Sequence, residues 1–249
     1  MDALAIEPRW LDVTEHDVPV AKLPSSLEGF TIAHVTDAHL KAIGPVEEAI
    51  HAAVRTQNVQ LVALTGDIID TPRRLSVLRD FCAALRRPGL DAISTLGNWE
   101  HWGRIAPSAL GKAYADVGVR LLVNESSISG GIRIHATDDS TAGEARIDAF
   151  RLNRGEADLL LTHSPALFDR FPKDFPGFSM ALAGHTHGGQ VRLGSALVPM
   201  LPEGSGRFLA GWYDAAQSRV YVSRGTGTSI VPVRFTCRPE LPIFRLRRA

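Results

Sequence analysis

Short apolar runs alternate with amphipathic stretches along the first half of the chain. The runs Phe30–Thr36, Leu61–Thr65 and Ala92–Leu96 are almost free of charge, which is typical of buried strands. Each run is followed by a stretch whose apolar residues recur at helical spacing, namely residues 44–57, 73–86 and 104–117. Strand, polar turn and helix therefore repeat three times. This βαβ pattern predicts an α/β protein with a largely parallel sheet.

The second half of the chain is richer in predicted strands. Residues 128–136 are typical of a hairpin around Gly130-Gly131, and Asp158–Thr162 and Ser179–Ala183 of buried strands. Residues 10–23 predict an edge strand with a proline break, and residues 119–123, after the helix of residues 104–117, predict a further strand. No repeat, low-complexity segment or interdomain linker is visible. We therefore expect residues 1–249 to form a single domain.

Residues of metal-ligand type follow five of these runs, at the point where each strand ends. Asp37-Ala38-His39 and His185-Thr186-His187 each place two such residues at positions i and i+2, which point the same way in an extended chain. Because sites in α/β proteins form at the carboxyl ends of strands, these side chains are expected to converge. The full set of candidate ligands is Asp37, His39, Asp67, Asn98, His163, His185 and His187.

The ligand types indicate a particular chemistry. Mixed imidazole, carboxylate and amide ligation without cysteine favours Mn, Fe or Zn over Ca, and we favour Mn. Seven ligands exceed what one tetrahedral ion needs, so two divalent ions sharing a carboxylate fit the count. Asp67, alone at its strand end and preceded by Gly66, is the natural bridge. Two ions about 3.5–4 Å apart polarise a bridging water and clamp phosphoryl oxygens.

Each candidate ligand also has a structural interpretation. Any one of the seven residues, taken alone, is explained equally well as a cap on a strand or helix. Together they are better explained by a common partner, because buried polar groups at five adjacent strand ends need one. Two other histidines are expected to be structural: His34 lies inside a strand, and His51 lies on the polar face of residues 44–57 and is predicted to be exposed.

Composition excludes several classes of function. Lys plus Arg and Asp plus Glu both number 27, which argues against a nucleic-acid binder. Cys82 and Cys237 make no disulfide framework. Residues 1–10 show no secretory signal, and no run approaches the roughly 20 apolar residues of a membrane-spanning helix. We therefore expect a cytoplasmic protein.

In combination, the motifs resemble those of a known family. Asp37-x-His39, Gly66-Asp67-x-x-Asp70, Gly97-Asn98, His163 and Gly184-His185-x-His187 are similar, in order, to the signature of the calcineurin-like metallophosphoesterases. The resemblance implies a four-layer αββα sandwich with a dimetal site at its upper edge. It also implies the distribution of ligands: one ion on Asp37, His39, Asp67 and His187, and the other on Asp67, Asn98, His163 and His185. Asp67 and Asn98 would then take part in catalysis through the ions.

The end of the chain resembles one branch of that family. The segments Gly188-Gly189-Gln190, Ser223-Arg224-Gly225-x-Gly227 and Pro232-x-Arg234 are similar to bacterial membrane-associated phosphodiesterases and UDP-2,3-diacylglucosamine pyrophosphohydrolases. The branch implies a small-molecule or lipid-linked phosphoester as substrate. Association with a membrane surface is compatible with this branch but is not indicated by the sequence itself.

Position 99 departs from the family pattern. Relatives carry a histidine after Gly-Asn that touches the phosphate and assists the leaving group, whereas this chain has Trp99. We hypothesise that His101 replaces it. If residues 98–102 are extended, His101 and Trp99 point the same way; if a helix begins at Trp99, His101 is rotated by about 200° and points away.

Aromatic residues near the predicted site suggest a preference for bulky substrates. Trp99 and Trp102, together with Phe175 and Phe178, are candidates for a wall that contacts an organic group. The alternative is that they only pack the loops. A wall of this kind favours phosphodiesters or pyrophosphates over small phosphomonoesters.

Three classes of function remain. The first is a dimetal hydrolase of phosphoester bonds, in which a metal-bridging hydroxide attacks phosphorus. The second is a metal-bearing scaffold with weak catalysis, since Trp99 replaces the family histidine. The third is a nuclease of the same superfamily, which the balanced charge disfavours. Retention of all seven ligand residues favours the enzyme.

Overall fold

Two mixed sheets form the body of the protein. The structure, a computed structural model, describes Leu4 and residues 6–150, 157–192 and 201–249. Within these residues each sheet has six strands. We number strands and α-helices in chain order.

The first sheet carries the three predicted βαβ units. Its order is β1-β12-β2-β3-β4-β5, and β2 to β5 run parallel. The strands are β1 (Asp12–Val20), β2 (Thr31–Val35), β3 (Leu61–Thr65), β4 (Asp91–Thr95), β5 (Arg120–Leu121) and β12 (Glu240–Arg248). The helices that connect them are α1 (Pro45–Thr56), α2 (Leu75–Leu85), α3 (Asn98–Trp102) and α4 (Pro107–Ala115).

The second sheet is built from the remainder of the chain. Its order is β10-β11-β9-β8-β7-β6, with β7, β8, β9 and β11 parallel. The strands are β6 (Glu125–Ser129), β7 (Ile132–Ala136), β8 (Asp158–Leu161), β9 (Met180–Ala183), β10 (Gly211–Ala215) and β11 (Ser218–Val222). The predicted hairpin is formed by β6 and β7, which are antiparallel.

The layers are held together by three apolar interfaces. Apolar residues of the two sheets meet face to face, with Ile32 and Leu61 from the first sheet packed among Ile134 and Leu182 from the second. Helices α1, α2 and α4 cover the outer face of the first sheet. A short 3₁₀ helix, Pro165–Arg170, and aromatic loop residues cover the outer face of the second. The predicted sandwich is confirmed, with a 3₁₀ helix and loops as its fourth layer.

Local details differ from the prediction in three places. Pro19 does not break β1, because this edge strand pairs parallel with β12 along its whole length. The strand predicted after α4 is confined to Arg120–Leu121. His51 is buried rather than exposed, because α2 packs over it and its Nε2 lies 3.0 Å from the carbonyl oxygen of Phe81.

The described helices give no candidate for a membrane span, because none combines the required length with sufficient apolar character.

Candidate metal centre

The seven predicted ligands lie together at one edge of the sandwich. They follow the carboxyl ends of β2, β3, β4, β8 and β9, where parallel strands of both sheets end. All seven residues are at most 6% exposed. The seven residues selected from the sequence come from both halves of the chain. The structure places their side chains within hydrogen-bond distance of neighbours in the same set.

One group of ligand atoms forms around His39. Its Nε2 lies 3.2 Å from His187 Nε2, and His187 Nε2 lies 3.4 Å from Asp37 Oδ1. Asp67 Oδ2 lies 3.9 Å from His39 Nε2. These atoms, contributed by Asp37, His39 and His187, meet the geometry of a group that can hold a metal ion.

A second group forms around His163. Its Nε2 lies 2.9 Å from Asn98 Oδ1, 3.2 Å from His185 Nδ1 and 3.2 Å from Asp67 Oδ2. Asp37, Asp67 and His163 likewise form a possible metal-binding group. Asp67 Oδ2 therefore faces histidines of both groups, while its Oδ1 accepts the backbone N–H of Trp99 at 2.8 Å. This is the arrangement that a bridging carboxylate requires.

Hydrogen bonds on the outer side of the histidines fix which nitrogen carries a proton. His163 Nδ1 donates to the carbonyl oxygen of Thr65 at 2.7 Å, and His185 Nε2 donates to that of Glu203 at 2.6 Å. His39 Nδ1 lies 2.5 Å from Asp70 Oδ1, to which it donates. The inner nitrogens are therefore acceptors when the rings are neutral.

Acceptors consequently face acceptors across the centre. Lone pairs of imidazole nitrogens, carboxylate oxygens and the Asn98 Oδ1 converge at 2.9–3.9 Å. Positive charge within such a buried cluster, from protons on the histidines or from a bound cation, stabilises it, because lone pairs that face one another repel in a site shielded from water. Imidazole, carboxylate and amide ligands of this kind fit divalent ions such as Mn, Fe and Zn.

The surroundings of two of these histidines, His163 and His39, favour positive charge in the same way. Burial lowers the pKa of His163, but Asp67 outweighs that effect and holds the pKa well above its ordinary value. Burial also lowers the pKa of His39, and the hydrogen bond to Asp70 with nearby Asp67 raises it above the usual value. Burial, followed by repulsion from His39, keeps the pKa of His187 well below the ordinary value. His187 therefore presents a free lone pair.

The loops that carry these residues are strained and closely packed. Asp37, His39, Asp67, His185 and His187 all have φ between 43° and 72°, a region that non-glycine residues rarely adopt. A Cβ on Gly97 would lie 2.3 Å from Asp67 Oδ1, and one on Gly184 would lie 2.4 Å from Asp37 Oδ2. Glycine is therefore required at both positions for the loops to approach the carboxylates.

Glu100 supports the centre without facing it, a role that the sequence analysis missed. Its Oε2 accepts the N–H groups of Asp67 and Gly97, each at 2.9 Å, and its Oε1 accepts those of Ile68 and Ile69 at 2.7 and 3.3 Å. Burial raises the pKa of Glu100 to about 7, with Asp67 adding to the rise, while the N–H donors lower it. Four donors leave no room for a carboxyl proton, so the hydrogen-bond geometry favours the ionised form.

The helical alternative at residues 98–102 is the one that the structure adopts. Helix α3 begins at Asn98, so Trp99 and His101 point in different directions and the extended alternative is wrong. The Trp99 ring packs edge-on against His39, with centroids 5.7 Å apart, and Trp102 packs against Trp99. His101 Nε2 instead lies 2.7 Å from Asp138 Oδ1.

The four aromatic candidates separate into two pairs. Trp99 packs against His39 and Trp102 packs against Trp99, and Trp102 is 60% exposed. Phe175 and Phe178 pack against Phe171 on the outer face of the second sheet. The two phenylalanines therefore pack the fold, as the alternative interpretation held.

Comparison with known proteins identifies the family. The profile of the calcineurin-like phosphoesterases matches residues 30–189, more than half of the chain. The chain belongs to this family. It is therefore a metallophosphoesterase, and the predicted resemblance is confirmed.

Two full-length similarities extend the match beyond the motifs. The metallophosphoesterase YkuE of Bacillus subtilis is 29% identical over 255 residues, covering 97% of this chain and 87% of that protein. The phosphodiesterase YaeI of Escherichia coli is 26% identical over 253 residues, covering 96% and 90%. A solved dimetal phosphatase from Danio rerio aligns with a TM-score of 0.47 at 14% identity, over 80% of this chain and 88% of that chain.

The bridge is tested by removing its carboxylate. Asp67→Ala deletes the atom that faces both histidine groups, so we expect loss of metal together with nearly all hydrolysis. Metal content is measured by mass spectrometry on protein purified without added metal. Asp116→Ala, on the surface, is the matched control. Two equivalents of metal retained in Asp67→Ala would show that the assignment is wrong.

The supporting role of Glu100 is tested with a substitution of equal size. In Glu100→Gln the amide NH₂ meets backbone N–H donors, so two of them lose an acceptor. The free energy of unfolding should fall by about 1–3 kcal/mol, the typical cost of an unsatisfied buried donor. Urea unfolding in EDTA measures stability, and metal titration should show weaker binding because the Asp67 loop is displaced. Glu48→Gln, exposed on α1, controls for the charge; equal behaviour of the two variants would contradict the role.

Proposed function

We propose that the protein hydrolyses phosphodiester or diphosphate bonds with two divalent ions, Mn²⁺ being favoured. The observation that carries the proposal is the convergence of acceptor atoms at the strand ends, which only cations compensate. One ion would be held by Asp37, His39, Asp67 and His187. The other would be held by Asp67, Asn98, His163 and His185.

The ions would supply a specific part of the chemistry. Divalent ions bound there neutralise phosphoryl charge and lower the pKa of water to the neutral range. The chain itself holds the ligands: the backbone N–H of Trp99 and the carboxylate of Glu100 orient the Asp67 loop. Asp70 and the carbonyl oxygens of Thr65 and Glu203 orient the imidazoles. Substrate therefore meets a preorganised set of groups.

A bulky organic group on the substrate is supported by the position of Trp99. Its ring lies against His39, and Trp102 packs against it and extends the aromatic surface toward solvent. An apolar surface beside the proposed metal ligands suits the organic group esterified to the phosphate, and not the charged phosphoryl oxygens. Small phosphomonoesters leave this surface unused. The name of the relative YaeI, a phosphodiesterase, agrees with this preference.

The preference is tested with two chromogenic substrates and added Mn²⁺. We expect a higher kcat/KM for bis-p-nitrophenyl phosphate than for p-nitrophenyl phosphate. Trp99→Ala should lower the value for the diester about tenfold, the effect of one lost aromatic contact, and the monoester value much less. Trp10→Ala, on an exposed surface, is the control.

Other outcomes separate the alternatives. Higher kcat/KM for phosphoserine or glycerol phosphate than for every diester would reject the substrate preference. Metal binding with no hydrolysis of any ester would identify a scaffold. Preference for DNA or RNA over all small diesters would identify a nuclease.

His101 is proposed as a proton donor, by a different route from that expected. His101 Nε2 donates to Asp138. The next residue, Asp139, accepts a hydrogen bond from the hydroxyl of Ser164, 2.5 Å away, and Ser164 directly follows His163 in the chain. Asp138 follows β7, which runs parallel to β8, so His101 lies at the same edge of the sandwich as the proposed ligands. The hydrogen bond that His101 Nε2–H donates to Asp138 raises the pKa of His101 above its ordinary value, against the effect of burial. The protonated form therefore persists toward neutral pH.

The proton donor is tested by the leaving group and by pH. His101→Ala should lower kcat by about 10²–10⁴ for a poor leaving group and much less for p-nitrophenolate, with both metals retained. Asp138→Asn removes the group that raises the pKa of His101, so the loss of activity with rising pH should move to lower pH. Unchanged kcat in His101→Ala for poor leaving groups would leave the ions as the only catalysts.

A further inference from the structure

A cavity of about 360 Å³ begins beside the proposed metal centre. Ala38 and His39 form one part of its wall, and Thr226 to Thr228 form another. The remaining wall comes from the segment that leads into α1 and from Pro8 and Arg9 near the amino end. The cavity therefore shares His39 with the centre, but nothing in the proposed metal ligation uses the rest of it.

Two cations line this cavity without a partner. The side chains of Arg9 and Lys41 are exposed and make no ion pair or hydrogen bond with any part of the chain that the structure describes. This contrasts with Arg245 and Arg247, which pair with Glu15 and Asp17 on the surface of the first sheet. Unpaired cations around a concave surface raise the local concentration of anions.

The other polar groups of the lining fit the same ligand. Thr228, another lining residue, carries a hydroxyl that offers a further donor. Glu47 is the one acidic residue among the described lining, and its Oε2 already accepts the N–H of Gly44 at 2.9 Å. Two unpaired cations therefore outweigh one engaged carboxylate. The cavity is suited to an oxyanion.

We propose that this cavity binds a second phosphate group of the substrate, separate from the phosphorus that is hydrolysed. The inference rests on the proposed phosphodiesterase activity and narrows it: preferred substrates carry an organic group and a further phosphate. His39 lies between the cavity and the aromatic surface, because its ring contacts Trp99 and the residue also lines the cavity. Arg9 and Lys41 determine specificity, and they hold no ion and take no part in bond cleavage.

The test compares two diesters that differ only in the second phosphate. They are thymidine 5′-(p-nitrophenyl phosphate) and the same compound with a 3′-phosphate. Wild-type protein should show a several-fold higher kcat/KM for the 3′-phosphorylated diester. Lys41→Met and Arg9→Met should each reduce that preference by about two- to fivefold, the range for exposed charged contacts. The value for the unphosphorylated diester should not change.

A matched control removes a cation elsewhere. Lys112→Met deletes a lysine that pairs with Asp116 on α4 and should leave both diesters unaffected. Equal kcat/KM of the wild type for the two diesters would overturn the proposal while leaving the diesterase activity in place. Equal losses on both diesters in the Lys41 and Arg9 variants would also overturn it.

Binding measurements separate failure of the subsite from failure of the proposed activity. Isothermal titration compares thymidine 3′,5′-bisphosphate with thymidine 5′-monophosphate, with product formation checked by chromatography. Tighter binding of the bisphosphate by the wild type, and loss of that difference in Lys41→Met, supports the subsite even if neither diester is hydrolysed. Equal binding of the two nucleotides by the wild type would overturn it.

Discussion

The structure of the centre depends on one carboxylate, that of Glu100. It accepts four backbone N–H groups from two loops that follow neighbouring strands. The loop after β3 carries Asp67, the proposed bridge, and the loop after β4 carries Asn98, a proposed ligand of the second ion. Because buried N–H groups need acceptors, the loops are held in the one arrangement that Glu100 satisfies. The distance between the two loops is thus set by a residue that binds no ion.

The same principle explains how strained ligand loops persist. Five candidate ligands have left-handed backbone conformations, which cost free energy unless the surroundings determine them. The β2 loop donates to the carbonyl oxygens of Gly66 and Asp67, and in turn accepts the N–H groups of Thr226 and Gly227 from beyond the second sheet. That last loop is held by Arg234, a fully buried guanidinium bonded to backbone oxygens of residues 224, 225, 227 and 237. Backbone contacts between loops therefore replace the local stability that the ligand positions lack.

Local pattern predicted the strands, and it selected the seven polar residues that the structure places together, because both depend on residue type and strand period. Where the prediction was wrong, packing between secondary-structure elements determined the burial or position of the residue. His51 is off the apolar stripe of α1, yet α2 covers it, and no pattern within α1 shows this. Phe175 and Phe178 precede a strand that ends at the centre, yet they lie at its other end and pack outward. Arg234 bonds to residues close to it in sequence. These bonds hold the loop of Gly225 and Gly227 against Asp37, and this effect is visible only in the folded structure.

Position 99 shows why a family histidine is replaceable at this place. The backbone N–H of residue 99 holds Asp67 Oδ1 at 2.8 Å, and any residue type other than proline offers that N–H. The capping contact of Glu100 with Gly97 starts the helix whatever side chain follows. The support that this turn gives to Asp67 thus comes from the backbone, and the proposed contact with substrate belongs to the side chain. An indole in place of an imidazole therefore changes the side chain beside His39 without moving the carboxylate between the two histidine groups.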